Sequence, residues 1–138
     1  MCNFTLLYRA YYTHVFNTLF LLFFLSDAYA SEVESVFSKK SKSSWVLESE
    51  NAFVLEDKYP QAPIHLLVVS KEIIQTVNDA ASALLGEMLE LAKKAAQKYN
   101  IDKSGFRIVI NTNKEGGQGV YHLHIHVLGG RQMQWPPG

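Results

Sequence analysis

The sequence predicts an antiparallel α+β domain: about five short strands around one long helix. Short apolar runs separated by turn-forming residues occupy residues 45–69 and 106–128. One stretch, residues 79–100, instead repeats its apolar positions at helical spacing. A length of 138 residues suits a single domain with little room for a second.

The first thirty residues are set apart from that domain. Arg9 precedes an apolar run from Val15 to Leu25, and Ala28-Tyr29-Ala30 is like a signal-peptidase site. Asn17 and Thr18 interrupt the run, which falls well short of the roughly 20 residues of a spanning helix, so no stable membrane span is expected. One reading is an export signal cleaved after Ala30. The other is an upstream extension with the true start near Val33 or Val36, since no methionine lies between Met1 and Met88. The second reading is preferred, and it implies a cytoplasmic protein. Residues 31–44 are rich in Ser and Lys and read as a polar, weakly ordered lead-in. Its basic cluster, Lys39, Lys40 and Lys42, reads as solvated surface.

The domain proper is expected over residues 45–138. Trp45–Glu50 and Ala52–Asp57 read as two strands joined by a tight turn at Glu50-Asn51. Pro60-Gln61-Ala62-Pro63 breaks regular structure, and the apolar run Ile64–Val69 after it suits a central strand. Asn78 or Asp79 can cap a helix running to about Asn100, with Leu84, Met88, Leu91, Ala92, Ala95 and Tyr99 on its apolar face. Phe106–Asn111 is a further strand. A glycine-rich loop, residues 113–119, leads into the last strand, and the chain ends in an irregular tail.

Charge narrows the function classes. Lysine and arginine balance aspartate and glutamate, giving a formal net charge of zero. That balance disfavours a nucleic-acid partner, whose affinity rests on a basic surface. It does not disfavour a single nucleotide, whose phosphate backbone N–H groups can hold. Cys2 is the only cysteine, so neither an intrachain disulfide framework nor a cysteine-based zinc site is available.

The last strand carries the chemistry. In Tyr121-His-Leu-His-Ile-His-Val-Leu128, His122, His124 and His126 alternate with apolar residues, so an extended chain turns three imidazoles to one wall and Leu123, Ile125 and Val127 to the core. An unperturbed imidazole titrates at about 6.5, near neutrality. Three uses stay open. The rings can be structural, bonded to backbone carbonyls. They can hold a catalytic zinc through three nitrogens and a water. Or one neutral ring can attack phosphorus while its neighbours donate hydrogen bonds and a proton. Gly116-Gly117-Gln118-Gly119, immediately before the row, favours the third, because glycines let backbone N–H groups approach a phosphate. His65, Asp57 and Asn111, taken singly, read as a core-edge histidine, a turn residue and a strand-end cap.

Taken together, these residues resemble the histidine-triad (HIT) hydrolases, specifically the Hint branch. The resemblance rests on Tyr-Pro-Gln-Ala-Pro-Ile-His at 59–65, Ile-Asn at 110–111, and the run from Gly116 through the histidines to Gly-Gly-Arg-Gln-Met-Gln-Trp-Pro-Pro-Gly138. It implies a HIT-like fold and a homodimer. It also implies a purine nucleoside phosphoramidase or related nucleotidyl hydrolase, working through a phospho-histidine and without metal or organic cofactor. Carried over position by position, His124 matches the nucleophile and His126 the histidine at the phosphate and leaving group. His122 and His65 match the histidines that orient the network, and Asp57 the carboxylate on the ribose hydroxyls. Asn111, Gly117 and Gln118 match positions around the phosphate, where Gly119 is also expected to contact substrate through its backbone N–H, and Trp135 matches a contact in the dimer or with substrate. Several positions depart from the pattern. Gly119 stands where a serine is usual, Lys58 replaces an apolar residue beside the ribose, and Ser70 and Ile73 replace a proline and a histidine. A nucleotide-binding module with little turnover and a histidine-ligated zinc hydrolase are the competing readings.

Overall fold

The structure, a computed structural model, describes residues 35–137. The expected export signal or extension at residues 1–30 lies outside the described residues. Among those described, no helix is long and apolar enough to cross a membrane.

Five strands form one antiparallel sheet in the order β1-β2-β3-β5-β4: β1 Leu47–Glu48, β2 Ala52–Glu56, β3 Ile64–Ser70, β4 Phe106–Val109 and β5 His124–Gly129. A single long helix, α1, spans Ser82–Lys98. Side chains alternate across a strand, and the register decides which strands share a face. Leu67 stands opposite His126, and Val69 opposite His124. On one face Ala52, Val54, Leu66, Val68, Leu123, Ile125 and Val127 bury themselves against Met88, Leu91, Ala92 and Ala95 of α1. On the other face Phe53, Leu55, Leu67 and Val69 form a smaller apolar group with Phe37. His65, His124 and His126 stand on this second face, which α1 leaves uncovered.

Local differences from the expected elements have identifiable causes. The turn at Glu50-Asn51 forms, closed by Ser49 N–H donating to Ala52 O (2.9 Å), but β1 keeps only two residues. Thr76 and Asp79 cap each other's backbone around a short 3-10 turn, Val77–Asp79, instead of starting the long helix. Helix α1 therefore begins at Ser82, and its N-cap Ala81 has no side chain able to accept from the first turn. His122 falls before β5 rather than in it. There Leu123 N–H donates to Ile74 O (2.6 Å) and Leu123 O accepts from Ser70 N–H (3.2 Å), so the chain enters the sheet two residues late.

Candidate active site

A cavity of about 560 Å³ opens on the uncovered face, within the range of small-molecule sites. Asn111, Gly117, Gly119, His124 and His126 line one part of it, Asp57 and Lys58 another, and Val36, Phe37, Leu55 and Leu67 form its apolar wall. His65 and His122 stand behind this lining, and both are buried.

Proton positions follow from partners that can only donate or only accept. Nδ1 of His124 lies 2.6 Å from the backbone oxygen of His122. A carbonyl only accepts, so Nδ1 carries the hydrogen, and in the neutral ring Nε2 holds the free lone pair. His124 thus meets its neighbour through backbone, not through the His122 ring. That ring is fixed separately: Nε2–H donates to Ser70 O (2.7 Å), and Nδ1 accepts from the hydroxyl of Ser35 (2.5 Å).

His65 and His126 form a second chain. The backbone N–H of Gln61 donates to His65 Nδ1 (3.1 Å), which puts the His65 hydrogen on Nε2. That Nε2–H reaches His126 Nδ1 at 2.9 Å, leaving the His126 hydrogen on Nε2. The oxygen Oδ2 of Asp57 is 3.4 Å from the same His65 nitrogen, and its Oδ1 accepts from Tyr59 N–H (2.7 Å). Burial lowers the pKa of His65, with Asp57 pulling the other way. Burial also lowers that of His122. His126 is pulled down to about 4, first by burial and then by the neighbouring His124 and His65. A ring that resists protonation stays in the tautomer its partners dictate.

The glycine loop is held from within. The side-chain oxygen of Gln118 accepts from Asn113 N–H (2.9 Å), and its amide donates to Gln75 O (2.7 Å) and Val120 O (3.1 Å). Gln118, expected near the phosphate, is buried and outside the cavity lining, and its side chain is consumed in shaping the loop. Gly117 has φ +74°, a conformation natural to glycine, and a Cβ on Gly116 would lie 2.3 Å from Thr112 O. A Cβ on Gly119 would meet nothing within 4 Å. Trp135 is 83% exposed and outside the cavity lining, so within one chain it is not brought to the site.

Two site residues gave no sequence signal. Ser35 and Phe37 fall in the segment expected as a weakly ordered lead-in, yet both are buried. Ser35 Oγ accepts from Phe37 N–H (3.1 Å) and Ser38 N–H (3.3 Å) while bonding His122. The Phe37 ring sits 5.2 Å from that of His124 and 5.7 Å from that of His122. Lys40 is exposed, as expected of solvated surface, and also lines the cavity.

Ligand atoms of Asp57, His65 and His126 lie within 4.8 Å of one another, a spacing that invites a metal. The donors do not fit one. A metal on His65 Nε2 would force the hydrogen of the neutral ring onto Nδ1, directly against the Gln61 N–H that now donates to it. The metal would also replace the His65–His126 hydrogen bond.

Comparison with known proteins agrees with the fold and the histidine strand. The HIT domain model matches residues 38–133. A purine nucleoside phosphoramidase of Escherichia coli is 39% identical over 107 residues, 72% of this chain and 90% of its own length. A 14 kDa zinc-binding protein of Brassica juncea is 40% identical over 113 residues, 75% of this chain and 95% of its own. The crystal structure of a HIT family hydrolase from Legionella pneumophila superposes with a TM-score of 0.71 at 45% identity, covering 76% of this chain and all of that one. The chain belongs to the HIT domain family.

Proposed function

We propose that the protein hydrolyses the P–N bond of purine nucleoside phosphoramidates through a nucleotidyl-histidine at His124, releasing the nucleoside monophosphate. The observation that carries this reading is the Nδ1–H···O bond from His124 to His122, which leaves Nε2 as a lone pair on the cavity side. The phosphoramidase activity named for the Escherichia coli relative supports it.

In the first half-reaction His124 Nε2 attacks phosphorus and the P–N bond breaks. Its electron pair goes to the leaving nitrogen, which takes a proton from a water molecule while His126 Nε2–H donates a hydrogen bond to it. The hydroxide so formed then attacks phosphorus and opens its bond to His124, so both rings keep their starting tautomers. The N–H groups of Gly117 and Gln118 are spent on Lys114 O (3.0 Å) and Asn113 O (3.1 Å), so the backbone N–H of Gly119 is the loop donor that meets the phosphoryl oxygens. The carboxylate of Asp57 accepts from the ribose hydroxyls. The apolar wall of Val36, Phe37, Leu55 and Leu67 takes the base. No step is routed through a metal.

We also propose a homodimer. Strand β4 is an open sheet edge, and Trp135, 83% exposed, is on the tail that Arg107 of β4 holds through Gln134 O (2.5 Å).

The test is release of AMP from adenosine 5′-phosphoramidate. His124→Ala should lower kcat by roughly 10⁴ or more, the scale seen when a nucleophile is removed. Rapid quenching of the wild-type reaction should trap label on residue 124. Equal rates in wild type and variant would refute the assignment.

A further inference from the structure

We propose that Lys40 reads the base and makes the site prefer guanine to adenine. The inference rests on the nucleotide reading above, with phosphorus at His124 and ribose at Asp57. Such a ligand lays its base across the sheet from β5 toward β2, because Leu67 stands opposite both His126 and Leu55. Leu55 and Leu67 then lie beneath the ring, with Val36 and Phe37 completing the wall.

An apolar wall accepts the faces of either purine, so selection falls to the edges. Guanine presents two adjacent acceptors, O6 and N7; adenine presents N7 beside the N6 amino donor. An ammonium has three donors and no acceptor, so it satisfies the guanine pair and opposes the adenine amine.

Lys40 is placed to supply that ammonium. Its backbone N–H donates to Phe37 O (3.0 Å), and Ser38 N–H to Ser35 O (3.1 Å), so the turn ties Lys40 to the aromatic wall. The same turn is anchored on His122 by the Ser35 hydroxyl. Other lysines are engaged: Lys42 pairs with Glu48 at 3.0 Å, Lys71 with Glu48 at 3.3 Å and Lys93 with Glu90 at 2.7 Å. Among the described residues, Lys40 has no carboxylate within 4.0 Å. Lys58 sits beside the ribose carboxylate, its ammonium 5.3 Å from the centre of the Tyr59 ring. Glu56 also borders the cavity, but its side chain turns toward the end of α1, where it accepts from the Tyr99 hydroxyl (2.5 Å), and so is directed away from the N1 and N2 hydrogens of guanine. Recognition therefore rests on O6 and N7, which hypoxanthine shares.

Calorimetric titration of the full chain with GMP, IMP and AMP tests this without requiring turnover. GMP and IMP should each bind about tenfold more tightly than AMP, the low end of a paired base-edge contact. In Lys40→Met the GMP:AMP ratio should fall to about one, while Lys40→Arg keeps a preference for GMP. Equal binding of GMP and AMP by a protein that turns over adenosine phosphoramidate would overturn the inference and spare the nucleotide reading. An unchanged ratio in Lys40→Met, or IMP behaving like AMP, would overturn it too. Absence of both nucleotide binding and turnover in the folded protein would remove the reading on which it rests.

Discussion

A hydrogen on the wrong ring nitrogen would disable His124 or His126 in its proposed role, and in each case one backbone group sets it. The oxygen of His122 does so for His124, and the N–H of Gln61, acting through His65, does so for His126. Protonating His126 would put a second hydrogen between it and His65. Because its pKa is held near 4, the acid limb of kcat that belongs to this ring should lie near pH 4 rather than at the unperturbed value near 6.5. In His65→Ala, which removes the bond to Nδ1, that limb should move upward; a profile unaffected by the substitution would disprove the coupling. Gly119 offers a second test. Open space around its Cβ position means that Gly119→Ser fits without clash. A hydroxyl beside the phosphate should raise kcat by about tenfold, below the effect of a full oxyanion donor. An unchanged or lowered rate would show that the loop does not bring this residue to phosphorus.

The same residues show what a sequence can disclose about a site. Alternation in residues 121–128 exposes a shared face without any knowledge of the fold, and it assigned Leu123, Ile125 and Val127 to the core correctly. Ser35 and Phe37 lie at least 85 residues from their partners His122 and His124 in the chain, within a polar stretch whose composition says surface. Gln118 was legible as part of a loop. Its three backbone contacts were not, since they require the positions of Gln75, Asn113 and Val120.

At the scale of elements, the long helix was legible from its apolar spacing and its start was not. Thr76 and Asp79 have the residue types of a helix cap, but they close on each other in a separate turn. Ala81, left as the N-cap of α1, has extended backbone (φ −66°, ψ 144°) suited to a capping side chain. Ala81→Ser should therefore stabilise the protein by about 0.5–1 kcal/mol, measured by urea denaturation. An unchanged or lower midpoint would show that the first turn already has its donors satisfied. The glycine loop should respond in the opposite sense. Gln118→Ala removes three hydrogen bonds from a buried position and should cost about 1–3 kcal/mol while lowering kcat. Loss of stability with kcat intact would detach the loop's shape from catalysis.

For the whole molecule, two properties follow from where the sheet leaves groups open or closed. Strand β4 has one unpaired edge and residues of intermediate exposure, so two chains can join there. Sedimentation velocity should give twice the chain mass of 15.6 kDa. A wild-type protein that sediments as monomer at micromolar concentration would refute the dimer. The second property is acid sensitivity. His65, His122 and His126 all have pKa values lowered by burial, whereas in the unfolded chain they titrate near 6.5. The unfolded state thus binds more protons as pH falls below about 6.5, and stability declines until the folded-state values are passed, near 4 for His126. The melting temperature should drop by several degrees between pH 7 and pH 4.5. A flat profile would mean that these rings are hydrated in the native state.

The Ser35 hydroxyl bonded to His122 has a consequence for how the gene is expressed. A polypeptide translated from a codon at Val36 would lack that oxygen, leaving the imidazole behind the nucleophile one donor short and the aromatic turn without its peg. Truncated clones should be drawn upstream of this serine, because a boundary one codon later loosens the His122 ring and the Phe37 wall of the cavity while sparing every strand and the helix.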